Sequence, residues 1–160
     1  VCASERAADL WTSLKSEGGC VPCGLGARDI LRLEMGYRLY GSDLDETVNP
    51  IEAGLGWACD LDKEFIGGGV LAQALEEGVE RHLQGFRMTA RGVPRTGYSI
   101  LLDEEPVGKV TSGTVSPTVG AGIGLGWMPP DLSAGDAINI GVRGKDLSAV
   151  IELPPFVKVR

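Results

Sequence analysis

With 160 residues, 43% of them hydrophobic and 23% charged, the chain can bury most of its apolar surface as one large domain or two small ones. A net charge of -7 and a pI near 4.7 argue against nonspecific nucleic-acid binding, which needs clustered Lys and Arg, but not against a small anion held by one or two arginines. No apolar run reaches the ~20 residues of a bilayer span and no signal peptide opens the chain, so a soluble protein is expected. The first residue is Val1 rather than Met, which leaves a processed chain or a piece of a longer one.

Ser4 to Glu17 reads as an amphipathic helix, with Ala7, Leu10, Trp11 and Leu14 recurring along one face, Ser4 as N-cap and Gly18-Gly19 as the stop. Four cysteines follow the pattern Cys2, Cys20, Cys23 and Cys59. The pair Cys20-Val21-Pro22-Cys23 raises metal and redox readings. A structural zinc site needs two more soft ligands, and a thioredoxin-type motif follows a strand, so reduced thiols with no metal are the expectation. His82 stands alone. Its expected place is an exposed position beside Arg81 at a helix end, which removes schemes built on several histidines.

The stretch from Gly24 to Trp57 is the candidate site wall, because charge sits there inside an otherwise apolar segment. Its helix is expected from about Gly26 to Tyr40, with Ile30, Leu33, Tyr37 and Tyr40 along one stripe, Glu34 and Arg38 paired four apart, and Arg28 and Arg32 on a neighbouring face. Gly24-Leu25-Gly26 resembles the start of a dinucleotide fingerprint. Asp29 occupies the third-glycine position, where its carboxylate would repel a pyrophosphate, and it reads better as a residue complementing the helix dipole in the opening turn. Gly41 to Asn49, with Asp43, Asp45 and Glu46, lacks calcium-loop register and reads as solvated. Ile51 to Trp57 looks buried, Gly67 to Gly69 looks like a flexible joint, and Val70 to Val79 gives another amphipathic helix.

Beyond Arg81 the pattern changes to short strands: Leu83–Thr89, Tyr98–Leu102, Val107–Thr111, Gly122–Met128, Ala137–Val142 and Ala149–Val157. Asp103 to Pro106 and Arg143 to Asp146 read as hairpin loops between them. Regular short strands with no helix between them predict a small barrel or sandwich.

The strings GLGARDILRLEMGYRLYG, NPIEAGLGW and KEFIG, then VGKVTSGTVSPTVGAGIGLGWM and VRGKDLSAVIELPPF, resemble the glycine cleavage T-protein family of aminomethyltransferases, in order and over nearly the whole chain. The resemblance implies an α+β fold: a helical C-terminal part of the folate-binding region (1–80), then a small antiparallel β-barrel, jelly-roll-like, at 81–160. It implies a transferase that takes the aminomethyl group from the lipoyl arm of H-protein, releases ammonia and loads tetrahydrofolate as co-substrate. In the family the arginine of the GLGARD string contacts the folate, which here is Arg28. The chain starts at the helix carrying Trp11, so the family's N-terminal half, with its catalytic carboxylates, is expected as a partner, and no catalytic residue is assigned. Asp43 and Glu52 are not substitutes.

The family's tail contact has no counterpart carried over, since only Val157 to Arg160 follow Phe156. Lys63 to Gly67 lacks the cysteine of the iron–sulfur-assembly branch, which favours the transferase branch. A non-catalytic folate-binding or assembly module of the same fold, or a folate-dependent demethylase, is the alternative. The resemblance also implies a bacterial cytoplasmic or mitochondrial matrix location.

Overall fold

A computed structural model describes residues 1–158. It contains three α-helices and six strands: α1 (Ala7–Ser16), α2 (Leu25–Glu34), α3 (Gly68–Glu77), β1 (His82–Met88), β2 (Ser99–Leu102), β3 (Glu105–Ser116), β4 (Ala121–Met128), β5 (Ala137–Val142) and β6 (Lys145–Ile151). Among the described residues no helix is long and apolar enough to cross a membrane.

The six strands form a closed antiparallel barrel in the order β1-β4-β3-β2-β5-β6, with β6 returning to β1. Closure removes sheet edges, so every strand finds a hydrogen-bonded neighbour on both sides. Two hairpins turn through left-handed pairs, Asp103-Glu104 (φ 50 and 71) and Arg143-Gly144 (φ 51 and 78). This turn matches the twist of the flanking strands. The turns are therefore shorter than the predicted loops: Glu105 and Pro106 already belong to β3, and Lys145 and Asp146 to β6. β3 also runs on to Ser116 through a register shift between Val110 and Ser112. β6 ends at Ile151, and Pro154 to Phe156 then fold back onto α2, where the Phe156 N–H donates to the Glu34 carbonyl at 2.8 Å.

Strand β4 explains its own alternation of glycine with large apolar residues. Gly122, Gly124 and Gly126 face the barrel lumen, where a Cβ on Gly124 would strike the Phe86 ring and one on Gly126 would come within 2.5 Å of Ile100. The lumen is filled by Phe86, Met88, Ile100, Val110, Ile138, Ile140 and their neighbours. Ile123 and Leu125 point the other way and pack with Leu33 of α2, Leu83 and Phe156. One strand thus serves two cores, small side chains making room on one face and branched ones filling the other.

The helical segment departs from the sequence expectation in several places. Ser4 is not an N-cap; it begins a 3-10 turn (Ser4–Arg6) that leads into α1 without a side-chain cap. α2 stops at Glu34, because Gly36 turns the chain with φ 72 against Pro154. Tyr37, Arg38 and Tyr40 therefore lie off the helix, and the tyrosines are exposed. The expected Glu34–Arg38 pair does not form. Ser116 Oγ donates to Glu34, and Arg38 donates to the carbonyls of Ala53 (3.0 Å) and Gly36 (3.2 Å). Only Ala53 of the Ile51 to Trp57 segment is buried, and Trp57 is exposed. Gly67 caps α3 with φ 90, and Gly68 and Gly69 are helical rather than a joint. His82 opens β1 opposite Met128, half-buried, instead of sitting exposed at a helix end.

Candidate functional site

Gly24 enters α2 in an extended conformation (φ -77, ψ 166). The helix that follows presents Arg28, Leu31 and Arg32 along one side. With Cys23, Leu25 and Tyr37 they line an open, mostly apolar concavity of about 580 Å³. Arg28 and Arg32 stand one helical turn apart, yet their surroundings differ completely.

Arg32 is fully engaged. Its guanidinium donates to Asp29 (Nε to Oδ1, 2.8 Å), to Asp43 Oδ2 (2.7 Å), to the Tyr37 carbonyl (3.2 Å) and to Ser112 Oγ (2.9 Å). Asp29 is thus the ion partner of Arg32 three residues on, at the fifth position of the helix, and not a residue of its opening turn. The Asp43 side chain is entirely buried. It also accepts from the Leu39 N–H (2.9 Å), from Ser112 Oγ (2.9 Å) and from Thr111 Oγ1. The loop read as solvated therefore places its one buried carboxylate among four donors drawn from α2, the loop itself and β3. Such saturation is what lets a buried charge persist. Next to this cluster, burial pushes the Arg38 guanidinium below the ordinary arginine value, while the charge of Asp43 pulls it back up.

Arg28 is exposed, and among the described residues it has no ion-pair or hydrogen-bond partner. It is one of the residues lining the concavity, and it brings five N–H donors there. A planar fork beside an apolar wall can hold a flat ring system together with a carboxylate or a polar ring edge. Glu52 takes no part in this site; it meets Arg81 at 3.4 Å, and Arg81 in turn lies over the Trp127 ring at 4.4 Å.

Cys20 and Cys23 are exposed free thiols, each Sγ directed at a carbonyl of its own loop. Among the described residues no group of three or more His, Cys, Asp or Glu is placed to hold a metal ion.

This arrangement of a β-barrel packed on a glycine-entered helix is shared with known proteins. The Glycine cleavage T-protein C-terminal barrel domain matches residues 81–158, and the GCVT N-terminal domain matches residues 1–63. The chain belongs to the glycine cleavage T-protein family. It is 45% identical over 158 residues to an aminomethyltransferase of Halothermothrix orenii, covering 96% of this chain and 44% of that protein. To an aminomethyltransferase of Bacteroides thetaiotaomicron it is 47% identical over 161 residues, covering 96% and 45%. The crystal structure of glycine cleavage system aminomethyltransferase T from Bartonella henselae superposes with a TM-score of 0.88 at 30% identity, over 96% of this chain and 44% of that one. The chain thus spans less than half the length of these T-protein relatives.

Sequence reasoning singled out Arg28, and the structure places it at the concavity. The cluster around Asp43 was missed. Opposite charges at Asp29 and Arg32, three apart on the helix, were a usable signal for part of it. Nothing near Asp43 in the chain announces Thr111 and Ser112, which lie 68 and 69 residues away.

Proposed function

We propose that the chain works as the folate-facing C-terminal portion of an aminomethyltransferase, joined with the N-terminal half that its relatives carry. In this reading a one-carbon unit passes from the aminomethyl-lipoyl arm of H-protein to tetrahydrofolate, and ammonia is released. The supporting observation is Arg28: an arginine left without a partner among the described residues, one turn from a fully bonded Arg32, at the edge of an apolar hollow. The family names carried by the relatives supply the reaction class.

The residues present suit tetrahydrofolate. Leu25, Leu31 and Tyr37 offer an apolar wall for a flat heterocycle, and Arg28 offers a fork for a carboxylate or a polar ring edge. When bound, tetrahydrofolate supplies the nitrogen that takes up the one-carbon unit. This chain binds and orients. Holding the reactants in register accounts for much of the barrier reduction in such a transfer. We assign no proton transfer to these 160 residues, and place the acid–base groups on the portion of the relatives' length that the chain does not span.

Calorimetry on the full-length protein tests the reading. Arg28→Ala is expected to weaken tetrahydrofolate binding by ~1–3 kcal/mol, the range for a hydrogen bond to a charged group, with little change in thermal unfolding because Arg28 has no hydrogen bond or ion pair among the described residues. Unaltered affinity would remove Arg28 from the site.

A further inference from the structure

We infer that Thr111 and Ser112, on barrel strand β3, are positioning residues for the concavity of Arg28, acting through the buried Asp43 on Arg32 and Tyr37. The inference rests on the folate reading above and assigns the barrel a part in it. Asp43 Oδ1 accepts from Thr111 Oγ1, and Asp43 Oδ2 from Ser112 Oγ, from Arg32 and from the Leu39 N–H. Ser112 Oγ also accepts directly from the second terminal nitrogen of Arg32 at 2.9 Å. Arg32 in turn donates to the Tyr37 carbonyl. Arg32 and Tyr37 both line the concavity, so the hydroxyls of β3 set the place of two of its walls without touching what it holds.

A purely structural role is the competing account, and the molecule separates the two. α2 has a second, independent attachment at its C-terminal end: Ser116 Oγ donates to Glu34, the Phe156 N–H donates to the Glu34 carbonyl, and Leu33 packs on Ile123 and Leu125. Losing the Thr111 hydroxyl therefore leaves the helix docked and releases one donor on Asp43. The consequence falls on the carboxylate, and through it on Arg32 and the Tyr37 backbone. Such a shift moves a wall of the concavity, whereas Glu34, held by Ser116 and Phe156, is not itself one of the residues that line it.

The test compares four variants of the full-length protein by tetrahydrofolate calorimetry and thermal unfolding. Thr111→Val, nearly isosteric, is expected to weaken folate binding roughly 2- to 30-fold, the range for coupling through packed networks. Thr111→Ser keeps the hydroxyl and should restore affinity. Ser116→Ala should lower the melting temperature while leaving folate affinity as in the parent. Arg28→Ala is the reference for the site. Affinity unchanged in Thr111→Val while Arg28→Ala binds weakly overturns the positioning role alone. Equal weakening in Ser116→Ala, tracking stability, overturns it too, since any loosening of the helix would then suffice. A neutral Arg28→Ala brings down the folate reading and this inference with it. Should Thr111→Val fail to fold, Ser112→Ala with Ser112→Thr as its rescue gives the same comparison.

Discussion

The lumen of the barrel is lined by nine buried residues from all six strands, whereas α1 and α3 bury none of their side chains. Leu10, Trp11 and Leu14 form the periodic apolar face that a helix buries in a folded domain, yet all three are exposed, as are Leu25, Trp57, Ile66 and Val70. The barrel closes on its own hydrogen bonds and its own core. The segment ahead of it is tied on by Leu33 and Glu34 of α2, by the Arg32–Asp43 cluster, and by the Leu83 N–H of β1, which donates to the Glu52 carbonyl at 2.9 Å. The same alternation of apolar residues thus carries different weight in the two regions, because burial depends on what lies opposite and not on pattern. A segment that presents this much apolar surface and this few internal contacts resembles one face of a larger interior, which agrees with relatives of more than twice the length.

The comparison breaks most sharply at paired truncations of one large side chain in each region. Phe86→Ala empties the lumen of its largest ring and is expected to cost about 3–5 kcal/mol in urea unfolding followed by barrel fluorescence or circular dichroism. Leu14→Ala in these 160 residues should stay within about 0.5 kcal/mol, the range for exposed positions. A Leu14→Ala cost approaching that of Phe86→Ala would mean that α1 has a packing partner the structure does not give it.

The tie between the regions comes next. Asp43→Ala leaves the largely buried Arg32 with the half-exposed Asp29 as its one charge partner and takes the carboxylate acceptor from the hydroxyls of Thr111 and Ser112, which is expected to cost about 3–5 kcal/mol. Hydrogen exchange should then rise first in α2 and the Tyr37 to Leu44 loop, with the lumen-facing strands still protected. Simultaneous loss of protection in β5 and β6 would show that barrel and helix form one cooperative unit.

The architecture was largely legible because strands announce themselves by period and by turn chemistry: five strands fall where their patterns predict them, and the sixth, expected at Ala149–Val157, shares only Ala149 to Ile151 with β6. Their limits were less so. The β3 pattern predicts a strand only to Thr111, while the strand runs to Ser116. The rest is strand because β4 pairs with it residue by residue as far as Ser116. α2 was read too long because Ile30, Leu33, Tyr37 and Tyr40 keep helical spacing past Gly36, and spacing does not report the left-handed φ that ends it. In the candidate site, Arg28 was visible through its place in a glycine-entered helix and through family resemblance. Asp43 was not, because three acidic residues within four positions read as water-facing and its partners come from the other region.

Gly124→Ala probes a tightly packed point of the barrel lumen. Overpacking a filled core costs about 1–3 kcal/mol, and here the added methyl meets the Phe86 ring and the Ser112 carbonyl, the latter at 2.8 Å. The double variant with Phe86→Leu should recover part of the loss, because the smaller side chain vacates the space the methyl needs. No recovery would place the conflict at the β3 backbone instead of the ring.

The smallest expected effect restates the contrast inside a single loop. Asp45 lies two residues from Asp43 but finds its partners locally: Thr47 donates to its Oδ1 through the hydroxyl (2.6 Å) and through the backbone N–H (2.8 Å). These two bonds, the hydroxyl first, hold the Asp45 pKa below the ordinary aspartate value. A depressed folded-state pKa means that the unfolded chain binds the proton more readily. The stabilisation is therefore complete above the unfolded value of about 3.9 and is lost as pH falls through the lower, folded value. Because Asp45 is exposed, the effect belongs in a titration curve and not in a melting temperature. Carboxyl NMR should show Asp45 titrating below an ordinary aspartate and moving up in Thr47→Ala, while Asp43→Ala leaves it nearly where it was. If Asp43→Ala moves it as far as Thr47→Ala does, the turn at Asp45 depends on the tie to the barrel, and the local and long-range carboxylates of this loop are one system.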